Sequence, residues 1–191
     1  MKISEFLSQF HHFRLTRTEP DFPLKKKGRP AAVLIPLIDY GNSLQLLLTE
    51  RAHHLKHHPG QIAFPGGKEE EMDSDLLSTA LRETHEEVGV HPEKVNTIRE
   101  LTEVYIPPSN FLATPFIGYV DKKPKFNLNY EVDKTIEVLV SELLNEDNIT
   151  SVNLTTSYMK NIDVPCFKIG NNIILGATGM MLSEIKELIN S

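Results

Sequence analysis

DLLSTALRETHEEVG, residues 75–89, is the stretch around which the rest of the chain arranges itself. Leu77, Leu81, Thr84 and Val88 recur at steps of four, three and four, the period of one helix face, and Gly89 follows as a C-terminal stop. A helical step of about 100° puts Glu83, Glu86 and Glu87 within one arc of about 100°, on a different side from those four residues. Like charges at such spacings repel by roughly 0.2–0.5 kcal/mol per pair, and these acids sit in the last two turns, where the helix dipole disfavours negative charge. Local helix stability therefore does not explain them. A divalent cation does, because hard ions such as Mg²⁺ take carboxylate oxygen and keep positions open for water and phosphate. Arg82 is placed to orient the cluster by a charge-assisted hydrogen bond. A solvated acidic face is the rival reading, and the helix alone leaves both open.

Upstream, residues 51–67 carry Pro59, Gly60, Pro65, Gly66 and Gly67, which predicts loop around a short strand at Gln61–Phe64. Before that, Ala31–Ile38 and Leu44–Thr49 are apolar runs flanking the turn-rich 39–43, so an antiparallel hairpin is expected. The basic run 25–30 reads as a solvated lead-in to its first strand. Ile3, Phe6, Leu7 and Phe10 suggest a short amphipathic helix. Downstream, strands are expected at Val95–Tyr105, Ala113–Val120, Thr135–Val140, Val164–Ile169 and Asn172–Leu175. A short helix is expected at Ser141–Asn145, and a last amphipathic one carrying Met180, Met181, Ile185, Leu188 and Ile189. This order gives a mixed sheet with helices on its faces, class α/β or α+β.

The 191 residues, 40% hydrophobic and 24% charged, suit a single domain spanning 1–191 with a substantial core. A net charge of -6 lacks the positive field that long nucleic acids require. The single cysteine, Cys166, cannot form an internal disulfide, and the opening MKISEFLSQF is not a secretory signal, so a cytoplasmic setting is expected. No apolar run reaches membrane-spanning length, and no membrane association is expected. The sequence does not fix the oligomeric state, and a homodimer is compatible with it.

Phe64-Pro65-Gly66-Gly67 and Arg82-Glu83-Thr84-His85-Glu86-Glu87-Val88-Gly89-Val90 together resemble the Nudix box, G-x5-E-x7-R-E-U-x-E-E-x-G-U with U a bulky aliphatic. Thr84 stands where U is expected. Fourteen residues separate Gly67 from Arg82, one more than the usual pattern, and Asp73 best matches the upstream acid. The resemblance implies an α/β/α sandwich with a loop-helix-loop metal site, Glu83, Glu86 and Glu87 being ligands of Mg²⁺ or Mn²⁺.

Leu47-Leu48-Thr49-Glu50-Arg51-Ala52, then Lys56, Gly60 and the same Phe-Pro-Gly-Gly, resemble the additional motif of the coenzyme A pyrophosphatase branch, L-L-T-x-R-[SA]-x3-R-x3-G-x3-F-P-G-G. Lys56 replaces an arginine there and loses its planar fork. The longer box and the opening Arg29-Pro30-Ala31-Ala32-Val33-Leu34 are also similar to that branch. The resemblance implies metal-dependent hydrolysis of coenzyme A or its thioesters to 4′-phosphopantetheine, or its acyl form, and adenosine 3′,5′-bisphosphate. Arg51, Lys56, Gly66, Gly67 and Lys68 are the candidate substrate contacts, and Glu83, Glu86, Glu87 and Arg82 the candidate catalytic group. Glu86 and Glu87 are alternative bases for the attacking water. Glu103 is a further acid, either an extra ligand or base or simply exposed, and near it a glycine is common in the branch where Asn110 stands.

Other readings remain. Relatives sharing the metal helix act on ADP-ribose or nucleoside triphosphates, and a non-catalytic nucleotide sensor would use the same fold. The run His53-His54-Leu55-Lys56-His57-His58 offers two i, i+4 histidine pairs that would bind zinc if helical, against solvent-facing loop histidines. His85 reads as a surface residue.

Overall fold

The acid-bearing helix, α1 (Leu76–Val88), is closed at both ends by the residues that bound it in sequence. In the computed structural model, which describes residues 1–6, 28–155 and 161–190, the Asp75 carboxylate accepts from the Ser78 N–H at 2.7 Å. Gly89 takes φ 77, where a side chain would be strained, and donates its N–H to the His85 carbonyl. The next two orphan carbonyls are met from a distant loop: Asn127 N–H donates to Val88 O at 3.0 Å and Asn129 N–H to Glu87 O at 3.1 Å. That loop is thereby pinned beside the acids.

Eight strands form the main sheet: β1 (Arg29–Asp39), β2 (Leu44–Arg51), β3 (Ile62–Ala63), β4 (Gly66–Lys68), β5 (Asn96–Glu100), β6 (Val104–Ile106), β7 (Phe111–Val120) and β8 (Val132–Leu139). Their order is β3-β2-β1-β7-β5, with β4 on β1, β6 on β7 and β8 on β2. β1 runs parallel to β7 and antiparallel to β2 and β4, so the sheet is mixed, and the expected hairpin is present with Leu37 opposite Leu46. A second sheet holds β9 (Ile149–Leu154), β10 (Ile162–Ile169) and β11 (Asn172–Ile174). Two further helices, α2 (Val140–Leu144) and α3 (Gly176–Asn190), are present, and short 3-10 turns at Pro92–Lys94 and Glu146–Asn148 fill connections.

β1 alternates between two buried faces. Ala32 and Leu34 pack with Phe116 and with Ala80 of α1, whereas Ile35, Leu37 and Ile117 meet Met181, Leu182, Ile185 and Leu188 of α3. The result is the expected α/β/α sandwich. Phe6, in the helical turn Ile3–Phe6, is fully buried in the larger core; the remainder of that expected helix, and Lys25–Lys27, lie outside the described residues. No helix among the described residues is long and apolar enough to cross a membrane.

Three expectations change. The single strand at 95–105 is two strands, β5 and β6. Opposite the break, Pro115 has no N–H to offer, and the Thr102 N–H donates to the Glu184 carboxylate of α3 at 3.2 Å instead of to a ladder. Gly66 and Gly67, expected in loop, form β4 on β1. β9, whose run ITSVNL is too polar to announce itself, pairs with β10.

Because Ile185 is fully buried in the core opposite α1, Ile185→Ala should lower unfolding free energy by roughly 2–5 kcal/mol. Urea denaturation measures this; a loss within experimental error would mean that α3 does not carry the core.

Candidate active site

β4 brings the glycine pair under α1, and each glycine is there for a close approach. A Cβ at Gly66 would lie 2.4 Å from the Ala32 carbonyl oxygen, so a side chain would push β4 off β1. A Cβ at Gly67 would lie 2.4 Å from Oε1 of Glu83, so its absence makes the room that this carboxylate occupies. The Gly66 N–H also donates to Oε2 of Glu87 at 3.3 Å.

Arg82 ties the helix to the segment before it. Its Nε and Nη2 hold both oxygens of Asp73 at 2.9 Å, Nη1 reaches Glu83 at 2.9 Å and Glu86 at 3.4 Å, and Nη2 donates to the Lys68 carbonyl at 3.1 Å. Asp73 also accepts from the Glu70 N–H and the Thr79 hydroxyl. The Arg82 guanidinium, with these donors, holds the Asp73 carboxyl well below the usual carboxylate range. Asp73, the best match for the upstream acid, is thus a buried brace, and Arg82 acts through the acids it orients.

The three acids of α1 differ in surroundings. Glu86 is exposed, Glu83 half-buried and Glu87 buried. Their shared arc is therefore not a solvent face: α1 buries Thr79, Ala80, Thr84, Glu87 and Val88, while Leu77 and Leu81 stay half-buried. Thr84, in place of a bulky aliphatic, buries its hydroxyl by donating to the Ala80 carbonyl at 2.7 Å. Burial, reinforced by the charge of Glu83, pushes the Glu87 carboxyl up to about 8 against the opposing pull of Arg51 and the Gly66 N–H. Glu83 is raised too, by burial, against Arg82.

Arg51, at the end of β2, stands 4.0 Å from Glu87 through Nη1 and donates through Nη2 to Glu131 at 3.3 Å. It faces Glu87, the buried acid of the helix trio. Glu131 went unnoticed in the sequence. Its charge reaches both Glu83 and Glu87, and no local pattern marks it, because it is brought in by the loop pinned on α1 and by the Ala52 N–H donating to its carbonyl. Lys56 is exposed on the turn after β2, and the Lys68 ammonium pairs with Glu70 at 3.5 Å. Neither lysine is drawn onto the acids of α1 as Arg51 is.

Glu103 is exposed and accepts from the Thr114 hydroxyl at 3.4 Å, beside Ala32 on the sheet face covered by α1. Asn110 takes φ 52, a conformation that asparagine tolerates and glycine prefers, with its side chain accepting from the Tyr105 hydroxyl at 2.9 Å. The histidine run forms turns and bends rather than the helix that a zinc site on its i, i+4 pairs would need. His85 stacks beside His91, ring centroids 4.3 Å apart.

Residues 28–151 match the family model for the NUDIX domain. The chain is 40% identical over 107 residues to the peroxisomal coenzyme A diphosphatase NUDT7 of Mus musculus, an alignment covering 56% of this chain and 44% of that protein. It is 39% identical over 145 residues to the uncharacterized Nudix hydrolase NudL of Enterobacter sp. (strain 638), covering 75% and 72%. Among solved structures, the Nudix hydrolase RenU from M. smegmatis superposes with TM-score 0.58 at 19% identity, covering 85% of this chain and 86% of that one. A MutT/nudix family protein from Enterococcus faecalis gives 0.57 at 16%, covering 97% and 68%. At such identities the structural likeness is one of fold.

Since Glu87 titrates in the folded chain at about 8 against an ordinary 4.5, folding without a cation favours its protonated form. Stability from this group is full below about pH 4.5 and is lost as pH rises towards 8. Glu87→Gln, melted in chelator, should match the wild type near pH 4 and exceed it by several degrees at pH 8. A pH-independent difference would contradict the burial of this charge.

Proposed function

The chain belongs to the Nudix family, and from that premise we propose that it hydrolyses the pyrophosphate link of coenzyme A or its thioesters, giving 4′-phosphopantetheine or its acyl form and adenosine 3′,5′-bisphosphate. The observation that carries this reading is the 4.0 Å approach of Arg51 to Glu87, which joins the motif upstream of the box to the acids within it. The 40% identity to a coenzyme A diphosphatase supports it.

The donors suit a hard dication. Glu83, Glu86 and Glu87 are an all-oxygen set, and the space kept by Gly67 lets the Glu83 carboxylate lie at the sheet surface. Mg²⁺ or Mn²⁺ held by these three would neutralise phosphate charge and acidify the attacking water. The remaining work falls to side chains. Arg82 holds Glu83 and Glu86 in place through its brace on Asp73. Arg51, planar and permanently charged, offers its guanidinium to a pyrophosphate oxygen. Lys56, and Lys68 at the end of β4, add positive charge at the rim for the substrate's further phosphates. We assign the proton from water to Glu131, a carboxylate that accepts from Arg51, is not part of the helix trio and is only half-buried. Water oxygen bonds to one phosphorus as the bridging oxygen leaves with the other, and the proton ends on the carboxylate before release. A reducing, cytoplasmic setting suits the buried free Cys166.

Products from coenzyme A, ADP-ribose and deoxynucleoside triphosphates, measured side by side, test the substrate. A kcat/KM at least about tenfold higher for coenzyme A is expected, a margin worth about 1.4 kcal/mol; equal or faster turnover of ADP-ribose would overturn the substrate assignment. Glu86→Gln should cut kcat by at least about a hundredfold, with a melting temperature equal to or above that of the wild type. Unchanged turnover would count against the helix acids.

A further inference from the structure

Beyond the helix acids, we propose that Glu50, His53 and Asp133 form a second cation site, one that takes zinc or a chemically similar transition ion at the outer edge of the cleft. Among the described residues, these three are the group whose ligand atoms lie within 4.8 Å of one another. His53 Nε2 is 3.2 Å from Glu50 Oε1 and 4.0 Å from Asp133 Oδ2. Ligands at the usual zinc distance of about 2.1 Å stand about 3.4 Å apart on a tetrahedron, so the two histidine separations need to change by roughly 0.2 and 0.6 Å and the two carboxylates, within 4.8 Å of each other, by no more than about 1.4 Å. Three protein ligands leave a fourth position for water.

Each ligand is aimed by a separate feature. Along β8, Lys134 pairs with Glu50 and Val132 with Arg51, so Asp133 is the extra residue of a bulge, turned out of the ladder. The His53 N–H donates to Asp133 Oδ2 at 3.2 Å and steadies that carboxylate. The His53 ring lodges where Gly60 lacks a side chain: a Cβ there would lie 2.6 Å from Cε1 and 3.0 Å from Nδ1. Gly60 has φ +69, so backbone and packing both ask for glycine. Lys134 occupies Glu50 Oε2 at 2.8 Å and leaves Oε1 towards the imidazole. Two carboxylates and one ammonium make a site of net charge near −1, suited to a dication. An exposed ion-pair network by itself contributes little to stability.

The imidazole separates this site from the all-oxygen set on α1, since magnesium avoids nitrogen and zinc accepts it. Its neighbours give it a consequence. Glu50 precedes Arg51, and Asp133 lies two residues beyond Glu131, so an ion there ties the end of β2, which carries the guanidinium, to the start of β8, just after the proposed base.

Competition against a zinc-responsive dye in millimolar magnesium, which fills the oxygen site, tests the inference without any substrate and so independently of the reaction proposed above. One zinc per chain should bind, and zinc should raise the melting temperature. His53→Ala and Asp133→Asn should each weaken that binding roughly tenfold or more, with melting curves in chelator matching the wild type. Cobalt substituted for zinc should give a visible ligand-field band that His53→Ala removes. No zinc bound in magnesium, or equal zinc affinity in wild type and His53→Ala, would overturn the proposal.

Discussion

Glu87 is a carboxylate buried between a helix and a three-residue strand, with a second acid, Glu83, raising its proton affinity further. Burial of a lone carboxylate costs several kcal/mol unless charge or hydrogen bonds offset it. Here the offsets are one backbone N–H at 3.3 Å and one guanidinium at 4.0 Å. That is thin compensation for a group at the end of a helix whose dipole already opposes it. The surrounding structure follows from this constraint. β4 must lie flat on β1 to cover the acids, so two of its three residues are glycines, and Arg51 must come in from β2 to face them.

The site is built from segments far apart in sequence and rigid for different reasons. Arg82 and Asp73 lock α1 to the stretch before it by a two-pronged ion pair, a geometry that lysine could not reproduce. The C-terminal carbonyls of α1 are capped by the 127–129 loop, and that cap sets down Glu131 beside Arg51. Two guanidiniums therefore flank the acids around the cleft, Arg82 against Glu83 and Arg51 between Glu87 and Glu131, all on backbone that is hydrogen-bonded to the sheet or the helix. Preorganised charge of this kind is what hydrolysis of a pyrophosphate demands.

Much of this was legible in the sequence where the cause is local. The β1–β2 hairpin, α1 with its terminal Gly89 and the closing α3 follow from periodicity and turn residues. The sandwich itself came from the resemblance of the box to a Nudix signature. What escaped depends on distant partners. Gly66-Gly67 reads as loop until β1 is laid beside it. The break at 101–103 needs Glu184 from α3 and Pro115 from β7. A helical wheel sets Glu87 with Glu86, because the wheel does not know that β4 covers one flank and leaves the other in water. Glu131 has no signature; it and Arg51 are 80 residues apart in sequence.

The account turns on whether the acids under β4 are gathered by a dication. Anomalous diffraction at the manganese edge, from crystals equilibrated with Mn²⁺, measures this directly. A peak between the Glu83 and Glu87 carboxylates, with Glu86 swung in from solvent, is the predicted result. A map without a peak there, with Glu87 still on the Gly66 N–H and Glu86 still in solvent, would contradict it.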